Sequence, residues 1–129
     1  MSGGCCSWLP YLNRDLVELP ITLPQDFTLF TLLGHPDETL WVDKARYLRG
    51  RGGMALLDTH PDYLIEHGPR AAYQRFLDHF CDDTTAWKAL PGDVARWWRR
   101  RHASRLVRRP GGWSLVGPAA EQGQVRLVG

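Results

Sequence analysis

Apolar and polar positions along the chain follow two spacings, the period of a strand and the period of a helix. Asp15-Leu-Val-Glu-Leu19 alternates and stops at Pro20, which predicts a short strand. Pro24 predicts a loop over residues 21–26, and the apolar run 27–33, closed by Gly34, predicts a short helix. Asp37 is placed to cap the next helix, on which Leu40, Trp41, Ala45 and Leu48 share a face and which Gly50, Gly52 and Gly53 stop. Met54-Ala-Leu-Leu57 is then an unbroken apolar run ending at Asp58-Thr59-His60-Pro61. That is the pattern of a strand buried on both faces of a parallel sheet.

Beyond this point a helix is predicted over residues 69–81, with Tyr73, Phe76, Leu77 and Phe80 as its apolar stripe and residues 82–85 as its break. Residues 86–90 read as a short strand, and Pro91 and Asp93 open a helix through Val94, Trp97, Trp98 and Arg101. Trp113-Ser-Leu-Val116 and Gln124-Val-Arg-Leu-Val128 alternate, which predicts a C-terminal β hairpin. Strands that alternate with helices predict an α/β fold with a mostly parallel sheet. Three such strands are too few to close a barrel of roughly eight, which takes about 250 residues. The expectation from the pattern alone is part of an α/β fold followed by a small β hairpin.

Composition changes this picture little: 129 residues with 43% hydrophobic and 23% charged positions describe a folded domain. A net charge of +2 conceals an arginine cluster, Arg96, Arg99, Arg100, Arg101, Arg105, Arg108 and Arg109, around the last helix. It is read as a solvated face whose cations suit a helix C-terminus, with nucleic-acid binding ranked last among the functions weighed. Cys5, Cys6 and Cys81 form neither a disulfide framework nor a zinc-site spacing, which favours a reducing, cytoplasmic compartment. Residues 1–10 lack the pattern of a signal peptide, and no apolar stretch is long enough to cross a membrane.

His60 is the first candidate for chemistry, because strand C-terminal ends build the active sites of parallel α/β folds and imidazole titrates near neutrality. A histidine satisfied by local backbone bonds fits its position equally well. Asp58 is a candidate orienting carboxylate or a turn-former, and Asp62 reads as a turn-former. Glu18, Thr22, Gln25 and Asp26 form a second polar set, placed to open on the same side as His60 and to touch a sugar. For Asp26 the favoured reading is a cap on the following helix. The remaining histidines form no metal-ligand spacing, and no phosphate-binding loop or nucleophile elbow is present. Trp41 and Trp97 lie on apolar helix faces and read as packing residues rather than as sugar platforms.

The stretch Gly53-Met-Ala-Leu-Leu-Asp-Thr-His-Pro-Asp-Tyr63 resembles the last signature of the polysaccharide deacetylase (NodB-homology) family. Val17-Glu-Leu-Pro-Ile-Thr-Leu-Pro-Gln-Asp-Phe-Thr-Leu-Phe30 and the pair Trp87-Lys-Ala-Leu-Pro91 and Val94-Ala-Arg-Trp-Trp98 resemble a bacterial subgroup of it. The resemblance covers residues 8–107. It implies a distorted (β/α) barrel and hydrolysis of acetyl groups on a carbohydrate, with His60 as general acid. In the complete family domain a divalent metal such as zinc, held by one aspartate and two histidines, activates the water. No such ligand set carries over, so no cofactor is expected in this chain. Residues 1–14 then read as leader-like, 15–107 as the C-terminal half of the barrel, a partial (β/α) barrel, and 108–129 as a β-hairpin tail. The expected protein is a deacetylase portion inactive by itself, with an acetylated carbohydrate as the substrate of the full-length parent. The alternative is a non-catalytic partner that binds sugar, self-associates or completes a separate N-terminal half-barrel.

Overall fold

The computed structural model describes residues 7–125, which form helices and two small antiparallel hairpins. Strands β1 (Tyr11–Asn13) and β2 (Leu16–Glu18) make the first hairpin, and β3 (Arg105–Arg109) and β4 (Gly112–Val116) make the second. Between them lie helices α1 (Thr39–Arg49), α2 (His67–Asp78) and α3 (Pro91–His102). The chain divides into two compact units, residues 7–9 with Leu19–Lys88, and Pro10–Glu18 with residues 89–125.

The unit built on Leu19–Lys88 is organised around Trp41, whose side chain is fully buried with Leu23, Leu29, Val42, Ala45, Leu48 and Phe76. Phe30, Tyr73 and Phe76 meet its ring edge to face at centroid distances of 5.4, 6.5 and 5.6 Å, the arrangement that aromatic quadrupoles favour. The α1 stripe is the expected one, except that Val42 is buried where Leu40 is only half-buried. On α2 the buried positions are Ala72 and Phe76, and Leu77 faces solvent. Arg75 on α2 donates from Nε to both carboxylate oxygens of Glu38 before α1, at 3.0 and 2.9 Å, which ties the two helix ends together. The short helix after the loop spans Phe27–Leu32 and is wound wide, with the Leu33 N–H reaching back five residues to the Thr28 carbonyl.

Residues 54–57, expected to be a buried parallel strand, form no strand, although they run alongside residues 22–26 in the same direction. The reason lies in the partner segment: Pro20 and Pro24 have no N–H to give to a ladder. Thr22 substitutes its side chain. Its hydroxyl donates to the Met54 carbonyl and accepts from the Leu56 N–H, both at 2.8 Å, while the Thr22 and Leu23 N–H groups share the Leu56 carbonyl. Thr22 is buried, so Thr22→Val keeps the shape and strands two backbone groups. The expected cost is about 1–3 kcal/mol in urea denaturation.

In the other unit, β1 and β2 are joined through Arg14 and Asp15, with Arg14 in the left-handed region at φ 54°. Tyr11–Asn13 falls inside the segment read as leader-like, yet pairs with the expected strand. Residues 1–6 of that segment, with Cys5 and Cys6, lie outside the described residues. The C-terminal hairpin also differs from expectation: β4 pairs with Arg105–Arg109 across Pro110 and Gly111, a partner the sequence pattern did not mark as a strand. Gln124 and Val125 are not in a strand, and 126–128 lie outside the described residues. Residues 86–90 form no strand and are mostly exposed. Among the described residues no helix is long and apolar enough to cross a membrane.

Candidate functional site

Two stretches that the sequence marked separately, residues 22–26 and 58–60, are brought together by side-chain bonds. Asp26 is fully buried and uses both carboxylate oxygens. Oδ1 accepts from the Phe27 N–H at 2.8 Å and from His60 Nδ1 at 2.8 Å, and Oδ2 accepts from the His60 backbone N–H at 2.6 Å. Asp26 therefore starts the short helix, as expected of a cap, and also fixes His60 in orientation and backbone position. An asparagine there would offer one acceptor oxygen and turn two N–H donors toward donors, so the position requires a carboxylate.

His60 is held at Nδ1, and its side chain is 42% exposed. Nε2 has no hydrogen-bond partner among the described residues, so the outward nitrogen is the one available to a ligand. The hydrogen bond to Asp26 raises the His60 pKa against the opposing effect of partial desolvation, and the charges of Asp26, Asp58 and Asp62 add to the rise. At Asp26 burial pushes the carboxyl up, but the bonds from His60 and Phe27 outweigh it and hold it below the usual carboxylate range. The Tyr63 ring stands edge to face on the imidazole at 5.5 Å and tilts on Phe27 at 5.3 Å, forming an aromatic wall beside His60.

The other candidate residues take supporting positions. The Asp58 carboxylate accepts from the Gln25 amide at 2.8 Å, so the carboxylate that orients His60 is Asp26 rather than Asp58. Thr22 spends its hydroxyl on the backbone of residues 54–56, and Asp26 is fully buried, whereas Gln25, Asp58 and His60 are half-buried. Asp62 is exposed on the turn after His60, and Glu18 accepts from Asn13 in the β1–β2 hairpin. Sequence reasoning missed the Asp26–His60 bond because the partners stand 34 residues apart with no periodicity linking them. Among the described residues no group of three or more His, Cys, Asp or Glu side chains is arranged to hold a metal ion. Comparison with protein-family models, with curated proteins and with solved structures finds no match.

Proposed function

We propose that residues 22–26 and 54–60 form the proton-donating side of a carbohydrate-deacetylase-type site, with His60 as general acid and Asp26 as the carboxylate that orients it. The observation that carries this reading is the bond from His60 Nδ1 to the fully buried Asp26, which leaves Nε2 open to solvent. A structural tie between the two segments needs only the His60 backbone N–H. A ring held at one nitrogen and open at the other is what proton transfer to a leaving group needs. In such a reaction water adds to the acetyl carbonyl and loses its protons to solvent, one of which restores protonated His60. The bond from the acetyl carbon to the sugar's nitrogen or oxygen breaks. The Nε2 proton goes to the departing nitrogen or oxygen, giving acetate and a free amine or hydroxyl.

The polysaccharide deacetylase resemblance implies a divalent metal that activates the water. The donor set among the described residues does not fit one, and the contribution proposed for this chain is the proton and its aim. Part of a (β/α) barrel is the fold proposed with this function. It is supported by the common direction of residues 22–26 and 54–60, which are joined through the helical stretch 27–49. The purified chain is expected to show no release of acetate from an acetylated chito-oligosaccharide. NMR titration of His60 is expected to give a pKa above the ordinary value of about 6.5, falling in Asp26→Asn. A His60 that titrates at or below the ordinary value would sink the reading.

A second reading, the half-barrel partner, is favoured by residues 54–57, one side of which has no backbone partner among the described residues. Met54 and Leu56 bond toward Trp8, Thr22 and Leu23, whereas the N–H and C=O of Ala55 and Leu57 have no hydrogen-bond partner among the described residues. An unpaired backbone edge of this kind accepts a strand. Co-purification of the chain with a complementary segment that carries one aspartate and two histidines is the measurement that separates this reading from the first.

A further inference from the structure

Positive charge is segregated in the unit that does not contain His60. Its described segments, Pro10–Glu18 and residues 89–125, hold eight arginines, no lysine and four carboxylates. In the His60 unit two of the five arginines face carboxylates, Arg75 on Glu38 and Arg49 on Asp83, and the segment Leu19–Lys88 carries ten carboxylates against its seven cations. The arginines of α3 behave differently. Among the described residues only Arg96 of these meets a carboxylate, that of Asp93. Arg99 donates to the Asp15 carbonyl and Arg100 to the Pro118 carbonyl, neutral acceptors that fix a guanidinium without cancelling its charge. Arg101 stacks 4.6 Å from the Trp98 ring centroid. Arg105, Arg108 and Arg109 on β3 have no ion-pair partner among the described residues.

The β3–β4 hairpin adds an apolar component. Arg108 pairs directly with Trp113 and Leu106 with Leu115, so these four share one face, on which Trp113 is 50% and Leu106 56% exposed. An exposed indole beside the uncompensated Arg108 guanidinium, with Arg105 and Arg109 on the other face of the same hairpin, suits a polymer that has both anionic groups and apolar ring faces. Carboxylates take the planar guanidinium fork bidentately, and a pyranose presents its C–H face to an aromatic ring.

We propose that the arginine-rich β3–β4 hairpin, with α3, binds an acidic polysaccharide bearing uronate carboxylates. The choice of a polysaccharide over a nucleic acid rests on the deacetylase reading of His60; the charge segregation and the exposed Trp113 are independent of it. The test is calorimetric titration of the full chain with a polygalacturonate oligomer, a neutral chito-oligosaccharide of equal length, and a single-stranded oligonucleotide of equal charge. The polyuronate is expected to bind, to weaken as salt is raised, and to bind about tenfold or more weakly in the triple variant Arg105→Gln, Arg108→Gln, Arg109→Gln. Should that variant lose its far-UV circular dichroism, the single variants Arg108→Gln and Trp113→Ala on the exposed face replace it, each expected to weaken binding severalfold. Absent polyuronate binding, or binding unchanged in the variants, overturns the proposal, and tighter binding of the oligonucleotide overturns the choice of partner. Binding is read without turnover, so a failed deacetylase reading and a failed polymer site give different results.

Discussion

Trp41→Ala is expected to cost about 3–5 kcal/mol of folding stability, the range for deleting a large, fully buried aromatic. The indole is enclosed by Leu23, Leu29 and Phe76 and by edge-to-face contacts with Phe30 and Tyr73, so its removal leaves a cavity that several elements would have to collapse to fill. Stability of a small domain is itself only about 5–15 kcal/mol, so this variant stands near the edge of folding. Urea denaturation followed by circular dichroism reads the loss. Trp41→Phe separates packing from hydrogen bonding, because it keeps most of the ring and deletes the Nε1 donor that meets the Pro24 carbonyl at 2.7 Å. Its expected cost is about 1–2 kcal/mol. Since Pro24 lies between Thr22 and Asp26, the Phe variant is also expected to broaden the His60 ring signals in NMR. Unchanged His60 signals would mean that the loop is held without the indole.

Asp26→Ala carries the second large effect. It strands the N–H groups of Phe27 and His60 at a fully buried position, with an expected cost of roughly 1–3 kcal/mol for each donor left unsatisfied. Its pH dependence has a defined sign. His60 gains a partner on folding, so its part of the pair is fully present below the unfolded histidine value of about 6.5 and fades as pH rises through the raised folded value. Asp26 is lowered, so its part is present above the unfolded carboxyl value of about 3.9 and is lost as pH falls through the lowered folded value. The gap in stability between the wild-type chain and Asp26→Ala is therefore expected to be widest between about pH 4 and 6.5. A gap that stays flat from pH 3 to 9, on denaturation curves taken at one-unit steps, would show that the pair contributes no charge interaction.

Helices α1, α2 and α3 were legible because their apolar residues repeat at the helical period and their ends hold proline or glycine, signals contained within a few residues of one another. The second hairpin was misplaced for the same local reason. Arg105-Leu-Val-Arg-Arg109 reads as a charged run rather than an alternating strand, although Pro110-Gly111 marks the turn that joins it to β4. His60 stood out from its place at the end of an apolar run, and Asp26 from its place before a helix.

The sequence by itself determined the three helices and most of the buried stripe of α1, since propensity and periodicity act over one or two turns of chain. Tertiary structure alone decided that Asp26 serves His60 as well as its own helix, and that Asp58 turns to Gln25 instead. It also decided that residues 54–57 are held by a threonine hydroxyl rather than a strand ladder. Each of these is a choice among hydrogen-bond partners more than thirty residues apart. A buried carboxylate must take whichever donors packing delivers to it, and that is fixed only once the core around Trp41 has closed.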